Sequence, residues 1–139
     1  MTLEKKAPGF DEYLAGGFLA NAPILFFTYA VKALLPEVVL PLGLEIVSVL
    51  VLALGGIVAG YLVVRRGNGD HLRTGLKTGL SAFIVNLAFS SIILTGMTLQ
   101  YILSVLTLFC LTAMLGAFLR KIAMGKAESE SHKDIALQQ

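Results

Sequence analysis

Charged residues are scarce in this sequence. They make up 14% of its 139 residues, whereas hydrophobic residues make up 56%. Typical globular domains carry about 25% charged and roughly 45–50% apolar residues. A soluble domain of this length needs more polar surface to face water, so the composition excludes an ordinary soluble fold.

The residues of common active sites are also missing or misplaced. The single cysteine, Cys110, cannot form an intrachain disulfide, and both histidines, His71 and His132, lie outside the apolar runs. This excludes a haem held by histidines within a membrane. The sequence has no CxxC, HExxH, nucleophile elbow or phosphate-binding loop. We therefore predict no catalytic residue, no metal and no cofactor, and the net charge of +2 gives no reason to expect nucleic-acid binding.

Long apolar runs are what the sequence has in abundance. About 20 apolar residues in a helix cross a bilayer, and only helices or closed barrels satisfy the backbone there. The runs are too continuous for the alternating pattern of barrel strands. We predict an all-α integral membrane protein whose four transmembrane helices form two hairpins. The spans cover about 17–35, 42–64, 76–95 and 99–119, after a polar segment 1–16 and before a polar tail 120–139.

Prolines and glycines set the expected limits of the first span. Pro8, Gly9 and Gly16 disfavour a long regular element before it, Pro23 predicts a kink within it, and Pro36 ends it. At the other end of the chain, the tail from Lys126 to Gln139 is expected to be solvated and poorly ordered.

A cleaved signal peptide is the alternative interpretation of the N-terminus. Ala20-Asn21-Ala22 has the small-x-small form of a cleavage site. However, Asp11 and Glu12 stand where a positively charged leader should be. An uncleaved first span is therefore the favoured interpretation.

Basic residues predict the orientation, because lysine and arginine next to a span stay on the cytoplasmic side. Only Lys32 falls near the opposite end of a span. The other ten group at one side of the four predicted spans, at Lys5, Lys6, Arg65, Arg66, Arg73, Lys77, Arg120, Lys121, Lys126 and Lys133. We predict a plasma-membrane protein with both termini in the cytoplasm. Tyr13 and Tyr61 would then lie near the inner interface, and Tyr101 and Tyr29 near the outer one.

The second and fourth spans align without gaps at an offset of 56 residues. Six residues match: Ile46, Ser48, Val49, Leu50, Leu52 and Gly60 correspond to Ile102, Ser104, Val105, Leu106, Leu108 and Gly116. An ancient duplicated hairpin would explain the match. Shared apolar composition is the alternative, because the first and third spans align poorly.

Small residues recur at helical spacing. Gly56 and Gly60 form one GxxxG pattern, Gly75 and Gly79 form another, and Gly116 lies on a similar small face of the fourth span. Such residues let helix backbones approach closely in lipid. Packing within one bundle and dimerisation are both open, with packing favoured. The two glycine pairs flank one short loop, so they can face each other across it.

Two ionisable residues, Lys32 and Glu45, fall at or near hydrocarbon depth. Such residues are functional candidates by default. The short link between the first two spans brings them to the same side of the membrane. A structural ion pair or a snorkelling lysine is favoured over a proton or cation site.

Polar uncharged residues gather in the third span. Asn86 and Ser90 are four apart and share a helix face. We expect them to bond across helices to Thr107 or Thr112 of the fourth span, and a narrow polar path is the alternative. In the loop before this span, Arg65, Arg66 and Arg73 suit anionic lipid headgroups, although topology alone also explains them, and His71 is expected to be a solvated loop residue.

The stretch Gly55-Gly56-Ile-Val-Ala-Gly60-Tyr61, with its short basic loop and Gly75-xxx-Gly79, resembles small uncharacterised four-span membrane proteins of archaea and bacteria. The resemblance covers residues 55–80 and implies the fold but no activity. Small multidrug-resistance transporters have similar size and span number. They carry an essential glutamate in the middle of the first span, where this chain has no acidic residue.

The sequence thus favours a non-catalytic scaffold or accessory subunit that acts as a homo-oligomer or with other membrane subunits. The alternative function is a small transporter or channel for a proton, a cation or a small solute. It would use Glu45, Lys32 and the polar face around Asn86.

Overall fold

A computed structural model describes residues 7–34, 42–66, 70–93 and 98–136, and side chains over 7–34, 46–66, 70–91 and 98–125. Helices account for almost all of these residues. They are α1 (Phe10–Leu34), α2 (Leu42–Arg66), α3 (His71–Ile93) and α4 (Leu99–Ala136). The all-α fold with four helices is therefore confirmed.

Three of the four helices are long and apolar enough to cross a membrane. The qualifying stretches are Phe10–Leu34, Ile46–Arg66 and Leu99–Gly125, with mean hydropathies of 1.5, 2.5 and 2.4. Helix α3 has 23 residues but is less apolar, because Arg73, Lys77 and Asn86 lie among its apolar residues, together with threonines and serines. Its assignment as a span remains a prediction.

Local hydrogen bonds explain why three helices start where they do. The Glu12 carboxylate accepts the Gly9 N–H at 2.6 Å, just before α1 begins at Phe10. Asp70 accepts the Leu72 N–H at 3.2 Å at the start of α3. Thr98 Oγ1 accepts the Tyr101 N–H at 3.3 Å at the start of α4. Such side-chain acceptors satisfy backbone donors that have no partner within the helix.

Two expectations about the chain ends are wrong. The segment before residue 17 is helical from Phe10, because Pro8 and Gly9 precede the helix and so do not interrupt it. The tail, which was expected to be poorly ordered from Lys126, is helical as far as Ala136, where α4 ends. Its alanine, lysine and glutamate residues favour helix, no proline interrupts them, and the preceding turns supply the helix nucleus. Within α1, the helix is continuous through Pro23.

The helices pack in the cyclic order α1, α2, α4, α3. Each helix contacts its two neighbours in this order, α2 also contacts α3, and α1 does not contact α4 within the described residues. One cluster of buried apolar residues lies at the centre of the described bundle. Its members are Ala20, Leu52, Ala59, Ala82, Phe83, Val105 and Phe109.

Glycines mark the closest approach of α2 and α4. A methyl group on Gly60 would overlap the Ala113 carbonyl oxygen, and one on Gly116 would overlap the Ile57 carbonyl oxygen. Neither position can hold a larger residue unless the two backbones separate. These contacts lie inside a single bundle.

The second glycine pair also meets α4. A methyl group on Gly75 would lie 2.9 Å from Ala117 Cβ, and one on Gly79 would lie 2.7 Å from Cys110 Cα. The expectation that the two glycine pairs face each other is therefore wrong. Helix α4 lies against both, because each pair occupies the side of its helix that α4 covers.

The offset of 56 residues reappears as a local two-fold arrangement of α2 and α4. Adding 56 to Ile57 and Gly60 gives Ala113 and Gly116, so the contacts Gly60–Ala113 and Ile57–Gly116 exchange with each other. A groove of about 410 Å³ extends the pattern toward the start of both helices. Three aligned pairs line it, Ser48 with Ser104, Val49 with Val105 and Leu52 with Leu108, beside Ile24 and Tyr101. Duplication stays a prediction, but the aligned residues do face each other.

Candidate functional site

The most polar part of the described interior lies where α1 crosses α3. Gly17 allows the crossing, since a methyl group there would lie 2.8 Å from Ser81 Oγ and 3.0 Å from the Ser81 carbonyl oxygen. One turn further along each helix, the two asparagines of these helices, Asn21 and Asn86, come together. Both are buried, with 1% and 7% of their surface exposed.

Asn21 is the centre of the site. Its side-chain amide donates to the Gly17 carbonyl of its own helix and to the Ala82 carbonyl of α3, both at 2.9 Å. Its Oδ1 accepts the Asn86 amide at 2.8 Å. Both donors and the acceptor of this side chain are therefore engaged.

Asn86 and Ser90 complete the network on α3. Ser90 Oγ donates to Asn86 Oδ1 at 3.4 Å. The rings of Phe18 and Phe89 also join α1 to α3, edge to face, with centroids 6.2 Å apart. The asparagines are thus bonded amides in an apolar surrounding, where an unbonded amide would be costly.

The predicted partners of Asn86 are wrong. Thr107 Oγ1 donates to the Leu103 carbonyl at 2.8 Å, and Thr112 Oγ1 donates to the Leu108 carbonyl at 2.7 Å. Both hydroxyls satisfy themselves on their own helix, four residues back, which is a common arrangement for threonine in helices. Asn86 instead turns toward α1.

The two predicted ionisable residues do not join this network. Lys32 is exposed near the end of α1. The side chain of Glu45 lies outside the described residues, so the predicted pair with Lys32 stays a prediction. Asn86, the third residue of the predicted transport site, is held by Asn21.

A second polar layer lies at the end of the bundle that holds the basic residues. The Lys77 ammonium lies 5.7 Å from the centre of the Tyr13 ring, which joins α3 to α1. The Arg120 guanidinium lies 5.7 Å from the centre of the Tyr61 ring, which joins α4 to α2. Each parallel pair of helices in the predicted topology is thus closed by a tyrosine with a cation over its face.

Sequence reasoning missed Asn21 as a member of the site. The sequence did contain a signal. Asn21 lies within an apolar run, four residues after Gly17, and a polar amide in such a run needs a hydrogen-bond partner. Across the described part of the chain, no three histidine, cysteine, aspartate or glutamate side chains are grouped to bind a metal. The chemistry of the network is neutral hydrogen bonding.

No protein-family model, no curated protein and no solved structure matches this chain.

Proposed function

We propose that this chain is a four-span protein of the plasma membrane, with both termini in the cytoplasm, that serves as a non-catalytic scaffold or accessory subunit. The burial pattern of α3 supports the fourth span. Its threonines, Asn86 and Ser90 face the bundle, while Leu76, Leu80 and Ile84 are exposed. The polar residues in the middle of α3 therefore lie on its inner face, whereas its exposed cations, Arg73 and Lys77, lie near its start, and the exposed positions Leu80 and Ile84 beyond them are apolar.

The distribution of cations supports the orientation. Arg65 and Arg66 end α2, Arg73 and Lys77 lie in the first turns of α3, and Arg120 follows the apolar part of α4. With α3 as a span, these groups share one membrane face, which the positive-inside rule assigns to the cytoplasm. The helical extension of α4 then projects from that face.

The observation that best supports a scaffold function is the uncharged hydrogen-bond network of Asn21, Asn86 and Ser90. Its polar atoms bond to each other and to backbone carbonyls. Groups engaged in this way join helices, and interhelical bonds of this kind contribute about 0.6–2 kcal/mol each in membranes. A polar path for an ion needs groups that can exchange partners.

The test is purification of the full chain in mild detergent, followed by native mass spectrometry and a flux assay in proteoliposomes. We expect a complex of fixed stoichiometry, either of this chain alone or with another membrane subunit, and no proton or cation flux. A monomer that conducts protons or cations, with flux abolished by Glu45→Gln, would replace the scaffold proposal with the transporter.

A further inference from the structure

A groove between α1 and α3 begins at the contact between Lys77 and Tyr13 and continues along the apolar surface of the bundle. Its volume is about 420 Å³, within the range of ligand pockets. Lys77 and Tyr13 lie at one end, and the rest of the wall is almost entirely apolar. The other lining residues are Phe10, Leu14, Leu80, Ser81, Ile84 and Val85.

Lys77 is the one charged residue among the described residues that line the groove. Lys77 is exposed and lies over the Tyr13 ring, and among the described side chains it forms no ion pair. No acidic residue is among the described ones that line the groove, and Glu12 lines a different cavity, between α1 and α2. The ammonium is therefore available to an anion at the mouth of the groove.

The apolar wall runs away from this cation along α3. Leu80 and Ile84 follow Lys77 by three and seven residues, and both are exposed, at 48% and 58%. At 1.5 Å per residue, Ile84 lies about 10 Å deeper than Lys77. A cation at the interface above an apolar channel of this length matches a headgroup phosphate above an acyl chain.

We propose that this groove binds one anionic phospholipid of the cytoplasmic leaflet, with its phosphate at Lys77 and an acyl chain along Leu80 and Ile84. The proposal rests on the proposed membrane topology, which places α1 and α3 in lipid with Lys77 at the inner interface. The inner leaflet is anionic, and one basic residue near its surface contributes around 1 kcal/mol, which corresponds to about a fivefold preference for anionic over zwitterionic lipid.

The absence of tryptophan allows a direct test. A single tryptophan placed by Ile84→Trp reports which lipid occupies the groove, because brominated acyl chains quench its fluorescence on contact. The full chain is reconstituted in vesicles of zwitterionic phosphatidylcholine, and brominated phosphatidylglycerol or brominated phosphatidylcholine is titrated in. We expect about fivefold preferential quenching by the anionic lipid.

Two further variants assign the preference to Lys77. Lys77→Gln should remove it, and Lys77→Arg should keep it. The matched control is Val58→Trp, an exposed position of α2 seven residues from Arg65. The Lys77 variants should leave quenching at that position unchanged. Circular dichroism of each variant confirms that the helices are intact.

The possible failures are distinguishable. Equal quenching by both brominated lipids at Ile84→Trp, or a preference that survives Lys77→Gln, overturns the lipid site while leaving the topology in place. No quenching by either lipid at Ile84→Trp, with normal quenching at Val58→Trp, shows that α3 does not face lipid. That result overturns the proposed topology and the lipid site together.

Discussion

Asn21 is the residue on which the contact between α1 and α3 depends most. It supplies two hydrogen bonds to carbonyls and accepts a third from Asn86. Within lipid the separated helices find some other partners, so each bond contributes modestly to stability, and the bond between the two amides is lost when either asparagine is replaced. The pair should therefore behave as one energetic unit.

We expect Asn86→Leu to lower the free energy of unfolding by about 0.6–2 kcal/mol, since Asn21 Oδ1 then loses its donor. Asn21→Leu should cost more, because it removes three bonds. The double variant should be less destabilised than the sum, and this is measured as a double-mutant cycle by denaturation in mixed micelles.

Ser91→Ala is the control for this cycle. Ser91 is exposed and its hydroxyl bonds only to the Leu87 carbonyl of its own helix. Its replacement should change stability little. Strict additivity of Asn21→Leu and Asn86→Leu would show that the amide–amide bond contributes nothing.

At the scale of helices, backbone approach replaces side-chain interdigitation. Gly60 and Gly116 let α2 and α4 touch through their carbonyls, and Gly75 and Gly79 do the same for α3 and α4. Lipid is as apolar as leucine, so close contact between backbones supplies attraction that burying leucine would not. Both glycine pairs therefore pack against the same helix, α4.

The two glycines of α4 provide a matched prediction. Gly116→Ala should destabilise the bundle by about 1–3 kcal/mol, as overpacking does, because its methyl group overlaps the Ile57 carbonyl. A methyl group on Gly125 would lie in open space, since among the described residues it would meet no atom of another element within 4 Å. Gly125→Ala should be neutral or stabilise the helix by up to about 1 kcal/mol.

Thermal unfolding of the two variants in the same detergent is the measurement. A similar shift at both positions would contradict the close contact of α2 and α4 at Gly116. It would leave only the intrinsic helix preference of alanine to explain the data.

At the scale of the whole molecule, the orientation depends on whether α3 crosses the membrane. If it does, residues 68 and 97 lie on opposite sides. After Cys110→Ala removes the native thiol, a cysteine at Asn68 should react only with reagent on the cytoplasmic side. Cysteines at Glu37 and Met97 should react only from outside, as measured with a membrane-impermeant maleimide.

The result for Met97 decides the number of spans. Labelling of Met97 from the same side as Asn68 would leave three spans and an external C-terminus. Labelling of Asn68 from outside would reverse the orientation of the whole chain.

Composition and periodicity predict much of this architecture. The rest depends on which helices pack against each other, which the sequence does not show directly. The number of helices and their approximate limits at the three internal links could be predicted because apolar length and turn residues are local properties, whereas the start of α1 and the end of α4 extend beyond the apolar runs. The partner of Asn86 could not, because Thr107, Thr112 and Asn21 offer similar chemistry and only the helix order selects among them. The same holds for the glycine pairs, which were predicted to be contact points but were assigned to the wrong neighbour.

The matched faces of α2 and α4 have a consequence for synthesis on the ribosome. Gly60 is made 56 residues before Gly116, which at roughly 5–20 residues per second is about 3–11 s. During that interval α2 lacks α4, and any neighbouring nascent chain presents the same uncovered α2. Because α2 and α4 make matching contacts at Gly60 and Gly116, we expect premature pairing of α2 between chains to be an error in biogenesis that becomes more frequent at high expression.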